Sequence, residues 1–98
     1  MIKHMVFFSL HYAKGSAEVK HFFEGAATLT AIEGVQHFES LQQTSKKNDF
    51  QYGLSMEFEN EAIYKAYNNH PLHVAFIQQY WIPGVAAFME IDHVPLVF

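Results

Sequence analysis

The side chains of this chain best suited to moving a proton near neutral pH are its histidines, seven among 98 residues: His4, His11, His21, His37, His70, His73 and His93. There is no cysteine, so thiolate catalysis, disulfides and Cys-ligated zinc or iron–sulfur are excluded. A glycine-rich phosphate loop, a G-x-S-x-G elbow, an H-E-x-x-H pair and an EF-hand loop are all missing. Chemistry therefore falls to histidine, tyrosine or carboxylate. His11, His21 and His37 occupy predicted turn, helix-surface and strand positions and read as ordinary surface histidines. His70, His73 and the Asp92-His93 pair have no recognisable ligand spacing, so neither a metal nor another cofactor is expected.

The segment Tyr67-Asn68-Asn69-His70-Pro71-Leu72-His73 stands apart from the rest. In an unbroken helix Tyr67 and His73 would point about 240° apart, since each residue turns about 100°. Pro71 disfavours the helical region for His70 and lets a new segment start at a different angle, so the two side chains can converge on one cavity. His73, near the start of that segment, would feel the positive end of the helix dipole, which disfavours its protonated form and suits a base. The alternative is that His70 only caps the second segment and His73 packs at its start. His4 interrupts an apolar strand face shared with Ile2, Val6 and Phe8, where an imidazole needs a hydrogen-bond partner or a ligand. It is expected to be buried on the helix side and bonded near Tyr67 or His73, or else to be a satisfied core histidine.

The elements that would position these residues follow from periodicity. Ile2 to Leu10 alternates as a strand with Ile2, His4, Val6, Phe8 and Leu10 on one face and Met5 and Phe7 on the other, both apolar. Ser16 caps a helix predicted over Ala17 to Ile32, with Val19, Phe22, Phe23, Ala26 and Leu29 as its buried stripe and Gly34 at its end. Val35–Thr44 and Phe50–Phe58 form a hairpin, the second strand turning Phe50, Tyr52, Leu54, Met56 and Phe58 inward and Gln51, Ser55, Glu57 and Glu59 outward. Asn60 caps a short helix to about Asn69, and Pro71 starts another to about Ile82. Gly84 opens a last strand with Val85, Ala87, Met89 and Ile91 on one face and Ala86, Phe88, Glu90 and Asp92 on the other. The order β-α-β-β-α-β predicts an α+β, ferredoxin-like domain: a four-stranded antiparallel sheet with its helices on one face, and one domain over residues 1–98.

Composition bears on the partners. Hydrophobic residues make up 50% and charged residues 16%, low for a small domain with much surface, which implies that the second sheet face is covered. A second copy packed sheet to sheet would cover it, giving a barrel-like homodimer. Six lysines and no arginine against ten acids leave a net charge of -4 and argue against nucleic acid or an anionic membrane surface as partner. No apolar run is long enough for a signal core or a membrane span, so a cytoplasmic location is expected.

Taken together, Ile2-Lys3-His4-Met5-Val6, Ile32 to Val35, the strand ending at Phe58, and above all Tyr67 with His70-Pro71-Leu72-His73 and Phe76 resemble the stress-responsive dimeric α/β-barrel (Dabb) family over nearly the whole chain. Asp92 matches the acid that often ends the family's last strand. The family's usual Ile-Pro-Gly-Val turn reads Ile32-Glu33-Gly34-Val35 here, which touches stability more than chemistry. The resemblance implies dimerisation through the sheets and a mostly apolar pocket between helices and sheet, walled by Val6, Phe8, Phe22, Phe23, Leu54, Met56, Phe76, Ile77 and Trp81. The family's plant olivetolic acid cyclase folds a linear polyketide by aldol condensation without metal or cofactor. By that likeness His73 is the base, Tyr67 assists, and His4 lies nearby, for proton abstraction next to a carbonyl in an apolar small molecule. Two other readings stay open: a non-catalytic stress or structural dimer, in which bulky aromatics fill the pocket, and a haem-handling or cofactor-free monooxygenase.

Overall fold

Two-residue alternation makes β1 (Ile2–Leu10) an interior strand: Ile2, His4, Val6, Phe8 and Leu10 point to one side and are buried. The computed structural model describes residues 1–98. β1 pairs antiparallel with β3 (Tyr52–Phe58) on one side and with β4 (Val85–His93) on the other, and β2 (Gln36–Gln42) completes a sheet of order β2-β3-β1-β4. This is the ferredoxin-like arrangement that the element order predicts. The helices cover the face bearing Val6, Phe8, Leu54, Met56 and Phe58, and the core lies between them and the sheet.

Helix α1 (Ala17–Ala27) starts where Ser16 Oγ accepts from the Val19 N–H, and it buries Phe22, Gly25 and Ala26. The helix predicted to Ile32 tightens after Ala27 into a 3-10 turn over Thr28–Ala31. The Thr28 and Thr30 hydroxyls donate to the carbonyls of Gly25 and Ala27, competing for acceptors the last α-turns would use. Strands β2 and β3 are likewise shorter than Val35–Thr44 and Phe50–Phe58. The Gln43 amide donates to the Phe50 carbonyl at 2.6 Å and holds the intervening residues as a loop. Ser55, expected outward into water, is buried, because the far face of the sheet is itself crowded around Met5 and Phe7.

Asn60 Oδ1 accepts from the Ile63 N–H and starts α2 (Glu61–Asn69), which turns Tyr64 and Tyr67, three residues apart, into the core. The helix stops at His70, whose extended backbone (φ -68, ψ 138) is the conformation Pro71 requires. Helix α3 (Pro71–Phe76) then continues as a π-helical turn, Ile77–Trp81, and a last turn, Ile82–Gly84. Periodicity did not predict the π turn. It precedes Pro83, which has no N–H to offer the Gln79 carbonyl, and a widened turn is one way a helix absorbs that loss.

Gly84 closes this helix rather than opening the strand. A register shift between Ser9 and Leu10 then pairs Leu10 with Val85 and Ser9 with Ala87. Val85 therefore joins the core on the helix side, not the face it was expected to share with Met89 and Ile91. Beyond the bulge the alternation holds: Phe88, Glu90 and Asp92 lie beside Phe8, Val6 and His4, while Met89 and Ile91 lie beside Phe7 and Met5 on the opposite face.

The turn before β2 rests on one glycine. Gly34 has φ +94, which side-chain-bearing residues rarely adopt, and a Cβ there would collide with Ile63 Cγ2. Gly34→Ala is expected to lower unfolding free energy by about 1–2 kcal/mol from the backbone alone. A urea titration checks this, and Gly34→Ala combined with Ile63→Ala should recover the share that comes from the collision.

Candidate functional site

The break at His70 governs the geometry. His70 Nδ1 accepts from the Leu72 N–H and caps α3, so His70 is structural, while the change of direction brings the Tyr67 and His73 rings to 4.5 Å between centroids. Both line a cavity of about 250 Å³ between α2, α3 and the sheet. Its wall holds six of the nine apolar residues expected there, Val6, Leu54, Met56, Phe76, Ile77 and Trp81, together with Leu29, Phe88, His4, Asn68 and Glu90. A water occupies about 30 Å³ of liquid, so the space suits a small organic molecule, close to the lower end of the usual ligand-pocket range.

Phe8, Phe22 and Phe23 lie outside this wall. Phe8 and Phe22 are 0% and 1% exposed and pack on each other at 5.4 Å between ring centroids, and Phe23 stacks edge-on against Tyr52. The aromatics thus fill the half of the core under α1, and the space beside α3 stays open. Trp81 bridges the two regions, with its ring 5.1 Å from that of Phe8 and 5.6 Å from that of Phe88.

His4 is buried on the helix side, but its hydrogen bonds do not run to Tyr67 or His73. Its Nδ1–H donates to Asp92 Oδ1 at 2.6 Å, and the Tyr64 hydroxyl, 2.9 Å from the same nitrogen, donates to Asp92 Oδ2 at 2.7 Å. Glu90 Oε1 stands 3.3 Å from the Tyr64 hydroxyl and 3.7 Å from His4 Nδ1. With its proton committed to Asp92 at Nδ1, His4 keeps Nε2 as the unprotonated nitrogen in its neutral form. His4, Glu90 and Asp92 each bring one ligand atom within 4.8 Å of the others, so this trio has the donor set for a divalent cation, whereas His70 and His73 form no such group.

His73 has the same tautomer for a different reason. Its Nδ1–H donates to the Asn68 carbonyl at 3.0 Å, across the helix break, leaving Nε2 with its lone pair. Burial pushes its pKa below the usual histidine value, and the nearby His4 adds to the effect; the Asn68 hydrogen bond and Glu90 act the other way. Desolvation is thus the leading cause. Tyr67 is 2% exposed, and burial followed by the charge of Glu90 raises its pKa, so it is an O–H donor at any physiological pH. Burial, then the bond to Asp92, does the same for Tyr64.

Tyr64, Leu29, Phe88, Glu90 and Asn68 were not among the site residues read from the sequence. Tyr64 carried a usable signal, because it sits one helical turn before Tyr67 on the same face. Glu90 and Asp92 also alternate with Phe88 along one strand face. Which residues of β1 they would meet was not readable from β4 alone.

Solved structures share this architecture. A Dabb family protein of Mesorhizobium loti with a ferredoxin-like fold is 50% identical, with 98% of this chain and 97% of that chain covered and a TM-score of 0.96. A dimeric ferredoxin-like protein of Thermobifida fusca (17% identity, 96% and 90% covered, TM-score 0.80) and the hydroxynitrile lyase of Passiflora edulis (12%, 99% and 95%, 0.85) share the fold. No curated protein matches the chain by sequence. Residues 2–95 match the stress responsive A/B barrel domain, Dabb, and the chain belongs to that family.

Proposed function

We propose that this chain forms a homodimer whose protomers each bind a small carbonyl compound and move a proton at the carbon next to the carbonyl, with His73 as the base. The observation that carries this reading is the juxtaposition of His73, its Nδ1 proton held by Asn68, with Tyr67 on the wall of one mostly apolar cavity. In the step, His73 Nε2 takes the proton from the α-carbon, the C–H electron pair moves toward the carbonyl, and the Tyr67 hydroxyl donates to the oxygen as it gains charge. Burial keeps His73 neutral and Tyr67 protonated, the two states this step requires. His73, now carrying the proton, returns it to the product, while His4, held by Asp92 and Tyr64, offers a second unprotonated nitrogen, Nε2, as an acceptor. The Passiflora edulis neighbour in fold is a hydroxynitrile lyase.

The test is incubation of the protein in deuterium oxide with an aryl methyl ketone, following loss of the methyl proton signal by NMR. Exchange above the buffer rate supports the reading. Binding without exchange would make the chain a non-catalytic carrier, and neither binding nor exchange would leave it a structural dimer.

The dimer itself is a separate expectation. On the sheet face away from the helices, Met89 and Ile91 are 51% and 41% exposed beside half-buried Phe7 and Met5, an apolar patch that water disfavours. The Thermobifida fusca neighbour is dimeric. Light scattering at micromolar concentration should give twice the chain mass, and Met89→Lys with Ile91→Lys should give the monomer, for a contact of roughly 1,200 Å² or more.

A further inference from the structure

Glu90 is the only carboxylate on the cavity wall, and no lysine lines it. Behind it Asp92 engages His4, so the end of the cavity near β4 carries two carboxylates against at most one imidazolium. Even with His4 protonated, that end keeps a net negative charge. The chain has no arginine, and the lysine nearest in sequence on an adjoining strand, Lys3, is on the opposite face of β1 from His4. A carboxylate has only acceptor oxygens, so Glu90 can meet a ligand N–H or O–H but repels an anion.

We infer that Glu90 selects the ligand by charge, so that the cavity takes an uncharged carbonyl compound bearing a hydrogen-bond donor and rejects its carboxylate counterpart. This deepens the carbonyl reading and rests on it. The partners support the assignment: Val6, Leu54, Met56, Phe76 and Ile77 cannot solvate an anion, and the donors on the wall, Tyr67, Asn68 and Trp81, are uncharged and bring no positive charge to offset Glu90. Glu90 Oε1 stands 3.3 Å from the Tyr64 hydroxyl, whose one proton goes to Asp92, so Glu90 is left to accept from a ligand. A substrate acid would therefore enter this site only after its carboxyl group had been masked as an ester, thioester or amide.

Two probes of matched shape test this, 3-acetylbenzamide and 3-acetylbenzoate, which differ in charge and in the amide donor. Trp81 is the one tryptophan of the chain and lies on the cavity wall, so its fluorescence reads binding directly. At neutral pH the intact protein should bind the amide about tenfold or more tightly than the carboxylate, the size of effect one partly screened charge contact produces. Glu90→Gln should bring the two affinities within about a factor of two or three, and Glu90→Asp should preserve the preference. Glu90 is half-exposed, so neither variant disturbs the core. Equal binding of both probes by the unaltered protein, or a preference that survives in Glu90→Gln, overturns the role of Glu90 while leaving the carbonyl site standing. If neither probe alters Trp81 emission, the carbonyl site fails, and the selection by charge fails with it.

Discussion

His73→Asn is expected to slow α-proton exchange of a bound aryl methyl ketone by about a hundredfold to ten-thousandfold, the range a positioned general base contributes. Asparagine keeps much of the ring's size and can still donate to the Asn68 carbonyl, so the loss would report the missing base rather than a collapsed wall. Tyr67→Phe should cost less, because it removes one donor to the developing oxyanion and leaves the proton acceptor in place. The pH profile adds a second readout. A base is active when unprotonated, and burial lowers the pKa of His73, so the acid limb of the exchange rate should fall off below about pH 6.5, the ordinary histidine value. The same displacement has a stability counterpart. Below that pH the unfolded chain takes up a proton at residue 73 more readily than the folded one, so His73 lowers stability as the pH falls through that window. A rate profile with its acid limb above 6.5 would contradict the geometry described here.

Phe58→Ala should produce the largest loss of stability near the site, about 3–5 kcal/mol, and a lowering of the melting temperature by more than about 10 °C. Phe58 is fully buried at the end of β3, stacked on Tyr64 at 4.8 Å and tilted against Tyr67 at 4.9 Å between ring centroids, with the His4 ring at 6.5 Å. It is therefore the common floor beneath three rings that the site depends on. Phe58→Leu retains most of the volume and should cost less than about 2 kcal/mol. Thermal unfolding followed by circular dichroism checks both. If Phe58→Ala were as stable as Phe58→Leu, the floor would not be packed as described.

The two predictions depend on different lengths of chain. The Tyr67–His73 arrangement was legible because its cause is local: Pro71 dictates the backbone of His70, and that alone redirects the second segment. Position of His4 on the helix side was legible for the same kind of reason, since strand alternation settles a face without reference to any other strand. Phe58 was readable as an inward residue, but not as the floor of the site, because α2 docks on it from further along the chain.

From its sequence alone, this protein was readable as a β-α-β-β-α-β domain of one family, with capped helix starts, a broken second helical segment, and a His/Tyr pair that could share a space. Periodicity, capping and proline act over a few residues, and so they survive in a one-dimensional reading. The tertiary structure decided the rest. The partners of His4 depend on the register of β1 against β4, strands at opposite ends of the chain, and pairing across that distance follows from packing rather than from either strand's own pattern. The bulge that turns Val85 inward belongs to the pairing of β4 with β1, and the π turn that ends at Trp81 accommodates Pro83; neither has a period to announce it. Whether the aromatics fill the pocket was likewise a matter of volume and direction in three dimensions: Phe8, Phe22 and Phe23 pack beneath α1, and the space beside His73 stays open.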